Sequence, residues 1–218
     1  MLRFAEEILL LALDDKTGRL HALPERALEF ALAGAVLAEL AFLDRLDTDA
    51  TTLVIKNAAP LGDPVLDEAL KCLPKDEPKL TIQKALARVA LKADVLKKLL
   101  FEELTRKGIL QPHEQKFLWV MRERRYPMVN DREEREVCAR IREVILTPGA
   151  IPDPRDVVLI GLMDACDLDS FVFTPAELDR SAERIKQICR MDFIVQALAR
   201  AIGEIQQAIL EVIAYSGM

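Results

Sequence analysis

The sequence predicts a mainly α-helical protein, a single globular helical domain spanning 1–218, with a short strand and one β-hairpin. Three observations carry that expectation. Apolar residues recur at three- and four-residue spacing through most of the 218-residue chain, which is the period of one helix face. Only Thr51–Ile55 is β-branched and short enough to read as a strand by itself. The chain is 51% apolar and 30% charged, the balance of a folded globular protein, and no repeat or low-complexity linker divides it.

In chain order, Phe4, Ile8, Leu9 and Leu11 fit a first helix that stops at the turn signal Asp14-Asp15-Lys16-Thr17-Gly18. A longer helix is expected to open at Pro24, whose fixed φ and missing N–H suit a first helical position. It runs through Leu28, Leu32, Val36 and Leu40, and Ala33, Gly34, Ala35 and Ala38 leave room for close helix neighbours. After the strand and the loop Ala59–Pro64, a helix covers Val65 to Leu73. The break Pro74–Pro78 precedes a long helix with Ile82, Leu86, Val89, Val95 and Leu99 on its apolar side, ending near Gly108 as a C-terminal cap. Asp131 with Glu133 and Glu134 has the logic of a capping box ahead of Val137, Ile141 and Ile145. Thr147–Pro154 is loop, Asp156–Cys166 a helix apolar almost all round, and Thr174-Pro175-Ala176-Glu177 starts a last helical region with a break near Met191-Asp192.

A net charge of −6 argues against general affinity for nucleic acid or acidic membranes unless a local basic patch supplies it. Cys72, Cys138, Cys166 and Cys189 are scattered without a CxxC pair, and Met1–Phe4 lead directly into an amphipathic segment. Reduced, structural thiols in the cytosol are therefore expected rather than metal or redox sites. The longest apolar run, Val157–Met163, is far short of the roughly 20 residues of a bilayer span.

Signals for catalysis are poor. His21 and His113 each fall in a predicted turn without a second ligand nearby, and no GxGxxG, P-loop, GxSxG or HExxH string occurs. Asp164, Asp167 and Asp169 lack the glycine and closing glutamate of a calcium loop. Glu6, Glu7 and Glu39 sit on otherwise apolar helices, where buried hydrogen bonding is the more economical role and an acid/base pair the rival one. No catalytic residue, metal or cofactor is expected.

The stretch FLWVMRERRYP, Phe117–Pro127, places five apolar side chains against three arginines. Two antiparallel strands are expected after the helix: Lys107-Gly108-Ile109-Leu110, then a turn at Gln111–Glu114, then a second strand from Lys116 to Met121. In that strand Phe117, Trp119 and Met121 share one face while Leu118 and Val120 share the other. Burying such side chains is worth roughly 1.5–3 kcal/mol each, so a ribbon apolar on both faces calls for a second surface. Leu110 and Phe117–Met121 are the candidate self-association or membrane hairpin, with Arg122, Arg124 and Arg125 facing acidic partner groups. Capping the protein's own core is the alternative. A helix followed by a hairpin with a basic tip also imitates the wing of a winged-helix regulator, but no basic recognition helix accompanies it.

Several of these strings together resemble the Golgi phosphoprotein 3 family. They are Glu6–Leu13 followed by Asp-Asp-Lys-Thr-Gly; Leu32-Ala33-Gly34 with Ala38–Ala41; Gly62–Leu70; Arg106–Leu110 with the hairpin; and Tyr126-Pro127. The resemblance implies one largely helical domain lying on the cytosolic face of membranes without catalysing a reaction. Eukaryotic members bind phosphatidylinositol 4-phosphate, act as adaptors for the cytosolic tails of Golgi glycosyltransferases, and oligomerise through the hairpin. The family's headgroup tryptophan falls here at Leu23 or Pro24, its helix arginine at Ala33, and its later basic pair at Asp94 and Lys97. That pattern suits a divergent or prokaryotic-type member whose ligand is another anionic lipid or no lipid at all. Lys92, Lys97 and Lys98, within two turns of one helix, and the helix start at Pro24 are the electrostatic candidates for it.

Overall fold

Every residue of the first helix, α1 (Phe4–Leu11), is buried, Glu6 and Glu7 included. The computed structural model describes residues 2–14, 17–74, 79–117, 121–129, 131–197 and 199–200, with only the backbone for 113–117 and 121–124. After α1 come α2 (Ala27–Phe42), β1 (Leu46–Thr48), β2 (Thr52–Ile55), α3 (Pro64–Cys72), β3 (Lys79–Thr81), α4 (Ile82–Ala90) and α5 (Ala93–Arg106). They are followed by β4 (His113–Phe117), β5 (Met121–Arg125), α6 (Arg132–Leu146), α7 (Pro154–Ala165), α8 (Asp169–Val172) and α9 (Pro175–Cys189). The chain is mainly α, with a small three-stranded antiparallel sheet and one hairpin. Helical backbone resumes at 193–197, after the break expected near Met191-Asp192.

α1 and α2 form the centre: α1 packs against α2, α5, α6 and α7, and α2 also meets α3, α4, α5 and β1. Ala33, Gly34, Ala35 and Ala38 on α2 are buried, and their short side chains permit that crowding. Gly161 plays the same part on α7, because a Cβ there would lie 2.2 Å from a Val195 methyl. The sheet has the order β1-β2-β3. Leu53 pairs with Leu80 across it, both buried, while Val54 turns outward, the period-two alternation of a half-covered strand.

Helix starts follow local chemistry. Asp63 accepts the Val65 and Leu66 amides at 3.0 and 3.2 Å ahead of α3. Asp153 accepts the Asp156 amide at 2.9 Å ahead of α7. Thr174 and Glu177 form the expected capping box of α9. Glu177 is held down at about 2 by its bonds with Arg142 and the Thr174 amide.

Four expectations are corrected. α2 opens at Ala27, not Pro24; Pro24 lies in the preceding turn, where its carbonyl accepts the Ala27 amide at 3.0 Å, and Arg26 takes a left-handed φ of 62° at the cap. The long helix expected after Pro78 is two, α4 and α5, broken at Leu91-Lys92. Leu91 is apolar, but it faces out, so the apolar period does not register the break. Asp131 is the cap residue of α6 but makes no side-chain capping bond; it pairs with Arg135 instead. The turn expected at Gln111–Glu114 is already strand from His113, and the hairpin closes after Phe117.

Candidate functional site

The hairpin is the first candidate surface. His113 pairs with Arg125 and Phe117 with Met121, so Phe117 and Met121 belong to two paired strands rather than to one continuous strand. Leu118, Trp119 and Val120, which join the strands, lie outside the described residues. So do the side chains of Phe117, Met121, Arg122 and Arg124, while Arg125 is half-buried. Among the described elements, β4 and β5 share extensive contacts only with each other.

The root of this ribbon is firmly held. Leu110 bridges Met128, the Gln111 amide donates to the Pro127 carbonyl at 3.1 Å, and the Val129 amide donates to Ile109 at 2.9 Å. Leu110 is buried there, at the root of the ribbon. Tyr126 stacks on Phe101 with ring centroids 3.9 Å apart, and its amide donates to the Gly18 carbonyl at 3.0 Å. Gly18 has φ 64°, and a Cβ there would lie 2.3 Å from the Pro127 nitrogen.

The headgroup positions do not gather into a cationic pocket. Ala33 is fully buried. Lys97 pairs at 2.8 Å with Asp94, whose side chain is 94% exposed, and the pair cancels its own charge. Pro24 opens no helix, and the true start of α2 carries Arg26 paired with Glu29 at 2.9 Å. Lys98 is exposed and 3.9 Å from Glu102, while Lys92 is exposed at the break between α4 and α5.

The buried carboxylates form an ion network. Lys107 Nζ donates to both Glu6 oxygens at 2.6 and 2.8 Å, and Arg3 donates to Glu6 at 3.0 Å and to Asp63. Burial pushes Glu6 upward, but Arg3 and Lys107 outweigh it and hold Glu6 below the usual carboxylate range. Arg140 bridges Glu7, at 3.1 Å, and Asp156, at 2.8 Å. Here burial prevails, and both carboxylates sit above their usual range despite the arginine. Glu39 accepts the Phe4 amide at 3.0 Å and Arg155 at 3.2 Å. Each carboxylate weighed as an acid or base is thus matched to a cation or amide. An open cleft of about 490 Å³ is lined by Lys107, Arg132 and Arg140, but these pair with Glu6, Glu136 and Glu7 and leave it electrically balanced.

The remaining chemical candidates are quiet. His21 is half-buried and stacks on Phe171 at 3.7 Å, which its sequence setting did not suggest. None of the four cysteines is joined in a disulfide, and burial with the neighbouring Asp164 pushes Cys189 up to about 12. Among the described residues, no group of three His, Cys, Asp or Glu side chains is placed to hold a metal ion, and no helix is long and apolar enough to cross a membrane.

The described residues form a helical core crossed by buried ion pairs, with a hairpin rooted on it. The family model for Golgi phosphoprotein 3 (GPP34) matches residues 4–205, nearly the whole chain. The chain belongs to the Golgi phosphoprotein 3 family.

Proposed function

We propose that this chain is a non-enzymatic adaptor that docks peripherally on the cytosolic face of a membrane through anionic lipid and self-associates through the β4–β5 hairpin. The observation that carries the reading is the hairpin itself: fixed at its root by Gly18, Phe101 and Ile109, yet in extensive contact with no other described element. Phe117 and Met121 form the pair of the ladder remote from that root. Apolar residues so placed favour a second copy of the chain. Cargo would be cytosolic tails of membrane proteins, in keeping with an adaptor family.

Docking by diffuse charge, rather than by a pocket for one phosphomonoester, accords with the replacement of the family's headgroup residues. A monoester needs several charge-assisted hydrogen bonds at one point, and Lys97 is already engaged by Asp94. Flotation on vesicles containing phosphatidylserine is expected to equal flotation on vesicles containing phosphatidylinositol 4-phosphate at matched surface charge. A strong preference for the phosphoinositide would refute docking by charge alone.

Leu118→Asp combined with Trp119→Asp is expected to lower the mass measured by light scattering toward that of a single chain, with helicity by circular dichroism unchanged. Retention of the wild-type mass would remove the hairpin from assembly.

A further inference from the structure

We infer that the pocket between the C-terminal end of α6 and the middle of α9 binds the phosphate group of a small water-soluble monoester, held by Arg180, Arg184 and Ser181. No residue of the hairpin or of α5 lines this pocket, so the inference is independent of the lipid docking and self-association proposed above. Its volume is about 340 Å³, within the range of small-ligand sites, and it is open to solvent.

The charge of the lining is the first support. It carries two arginines and no carboxylate. Arg3, Arg140, Arg142 and Arg155 each meet an acid elsewhere in the fold. Arg180 and Arg184 form no ion pair among the described residues. They stand four apart on α9, a spacing at which like charges repel unless an anion lies between them. Glu143, Asp179 and Glu183, the acids nearby on the two helices, are exposed and do not line the pocket.

The second support is a set of idle donors. Ser181 is 5% exposed, lines the pocket, and has no side-chain hydrogen bond among the described residues. A buried hydroxyl without a partner carries a free-energy deficit that a ligand oxygen would remove. The Gly149 amide, in the turn after α6, likewise donates to no described acceptor. Nothing lies within 4 Å of where a Cβ would stand at Gly149, so the mouth is clear on that side.

Arg184 is already positioned, because its guanidinium donates to the Ala150 carbonyl and keeps further N–H groups for a ligand. That bond also serves the carbonyl-rich end of α6, which leaves Arg180 without a structural task. Two guanidinium forks, a hydroxyl and an amide suit a phosphate monoester with three terminal oxygens better than a carboxylate with two. Ile145 and Leu146 form the apolar wall on which the organic part of the ligand can rest.

The test titrates the whole chain with phenyl phosphate and follows the amides by NMR. The Gly149 and Ser181 resonances are expected to move saturably, and sodium chloride at the same ionic strength is expected not to move them. Arg180→Met, at an exposed position, should weaken binding by about tenfold, the loss of one charge-assisted contact. Ser181→Ala should weaken it by a smaller factor, and circular dichroism should match the wild type in both. No saturable shift, or wild-type affinity in both variants, would overturn the site. Were phenyl phosphate silent while Arg180→Met weakened flotation on phosphatidylserine vesicles, the arginines would serve a lipid surface, and the soluble ligand would be overturned.

Discussion

Replacing Arg140 with methionine is expected to cost about 3 kcal/mol of stability, read as a fall in the urea midpoint. The guanidinium bridges Glu7 and Asp156, whose side chains are 2% and 6% exposed, so its loss strands two buried carboxylates. A third of the Arg140 side chain meets solvent, which sets the effect at the low end of the range for a broken buried pair. The pH dependence follows from the direction of the shifts. Glu7 and Asp156 already lie above their unfolded values, so the folded protein holds their protons more tightly than the unfolded chain does. Stability from these two groups is fully present below the unfolded pKa and is lost as the pH rises through the folded one. Without Arg140 both rise further, and the deficit should be largest near neutrality and shrink on acidification toward the ordinary carboxylate pKa. A deficit independent of pH would mean that lost packing, not stranded charge, accounts for the change.

Gly18→Val is expected to unseat the hairpin and cost about 3 kcal/mol or more. The left-handed φ of 64° alone disfavours any side chain with a Cβ. Here that Cβ would also lie 2.3 Å from the Pro127 nitrogen and 2.5 Å from the Tyr126 carbonyl carbon. Backbone cannot swing aside as a side-chain tip can, so relief requires giving up the Tyr126–Gly18 hydrogen bond and the Phe101–Tyr126 stack. Gly149→Val is the control: its φ is 79°, but no atom lies within 4 Å of an added Cβ, so it carries the conformational cost without the collision. Hydrogen exchange should quicken at the Gln111 and Val129 amides in the Gly18 variant and hardly change there in the control. Equal behaviour of the two would show that Gly18 does not brace the ribbon.

Much of the helical architecture was legible because its signals are local. Thr174-Pro175-Ala176-Glu177 marks the start of α9 through one turn of chemistry, and Phe4, Ile8 and Leu11 mark α1 by period alone. What failed was non-local. The hairpin's register is set by pairing between His113–Phe117 and Met121–Arg125, and a run of five apolar residues gives no sign of where the chain reverses. β1 and β3 are three residues each and exist through their pairing with β2, so neither carries a period of its own. The break at Leu91-Lys92 was hidden because both sides are good helix formers, and an outward leucine still fits an apolar pattern. Among the site candidates, Glu6, Glu7 and Glu39 announced themselves as carboxylates on apolar helices. Their partners, Lys107, Arg140 and Arg155, come from distant segments that no spacing rule connects to them.

The root of the ribbon joins a turn near the beginning of the chain to residues well past its midpoint, through Gly18 and Tyr126. Closing so long a loop has an entropic cost that is met only when the intervening helices are already in place. A half-finished chain therefore lacks a properly aimed ribbon. The junction ties the aim of the ribbon to completion of the interior: without packed helices between them, Gly18 and Tyr126 do not meet.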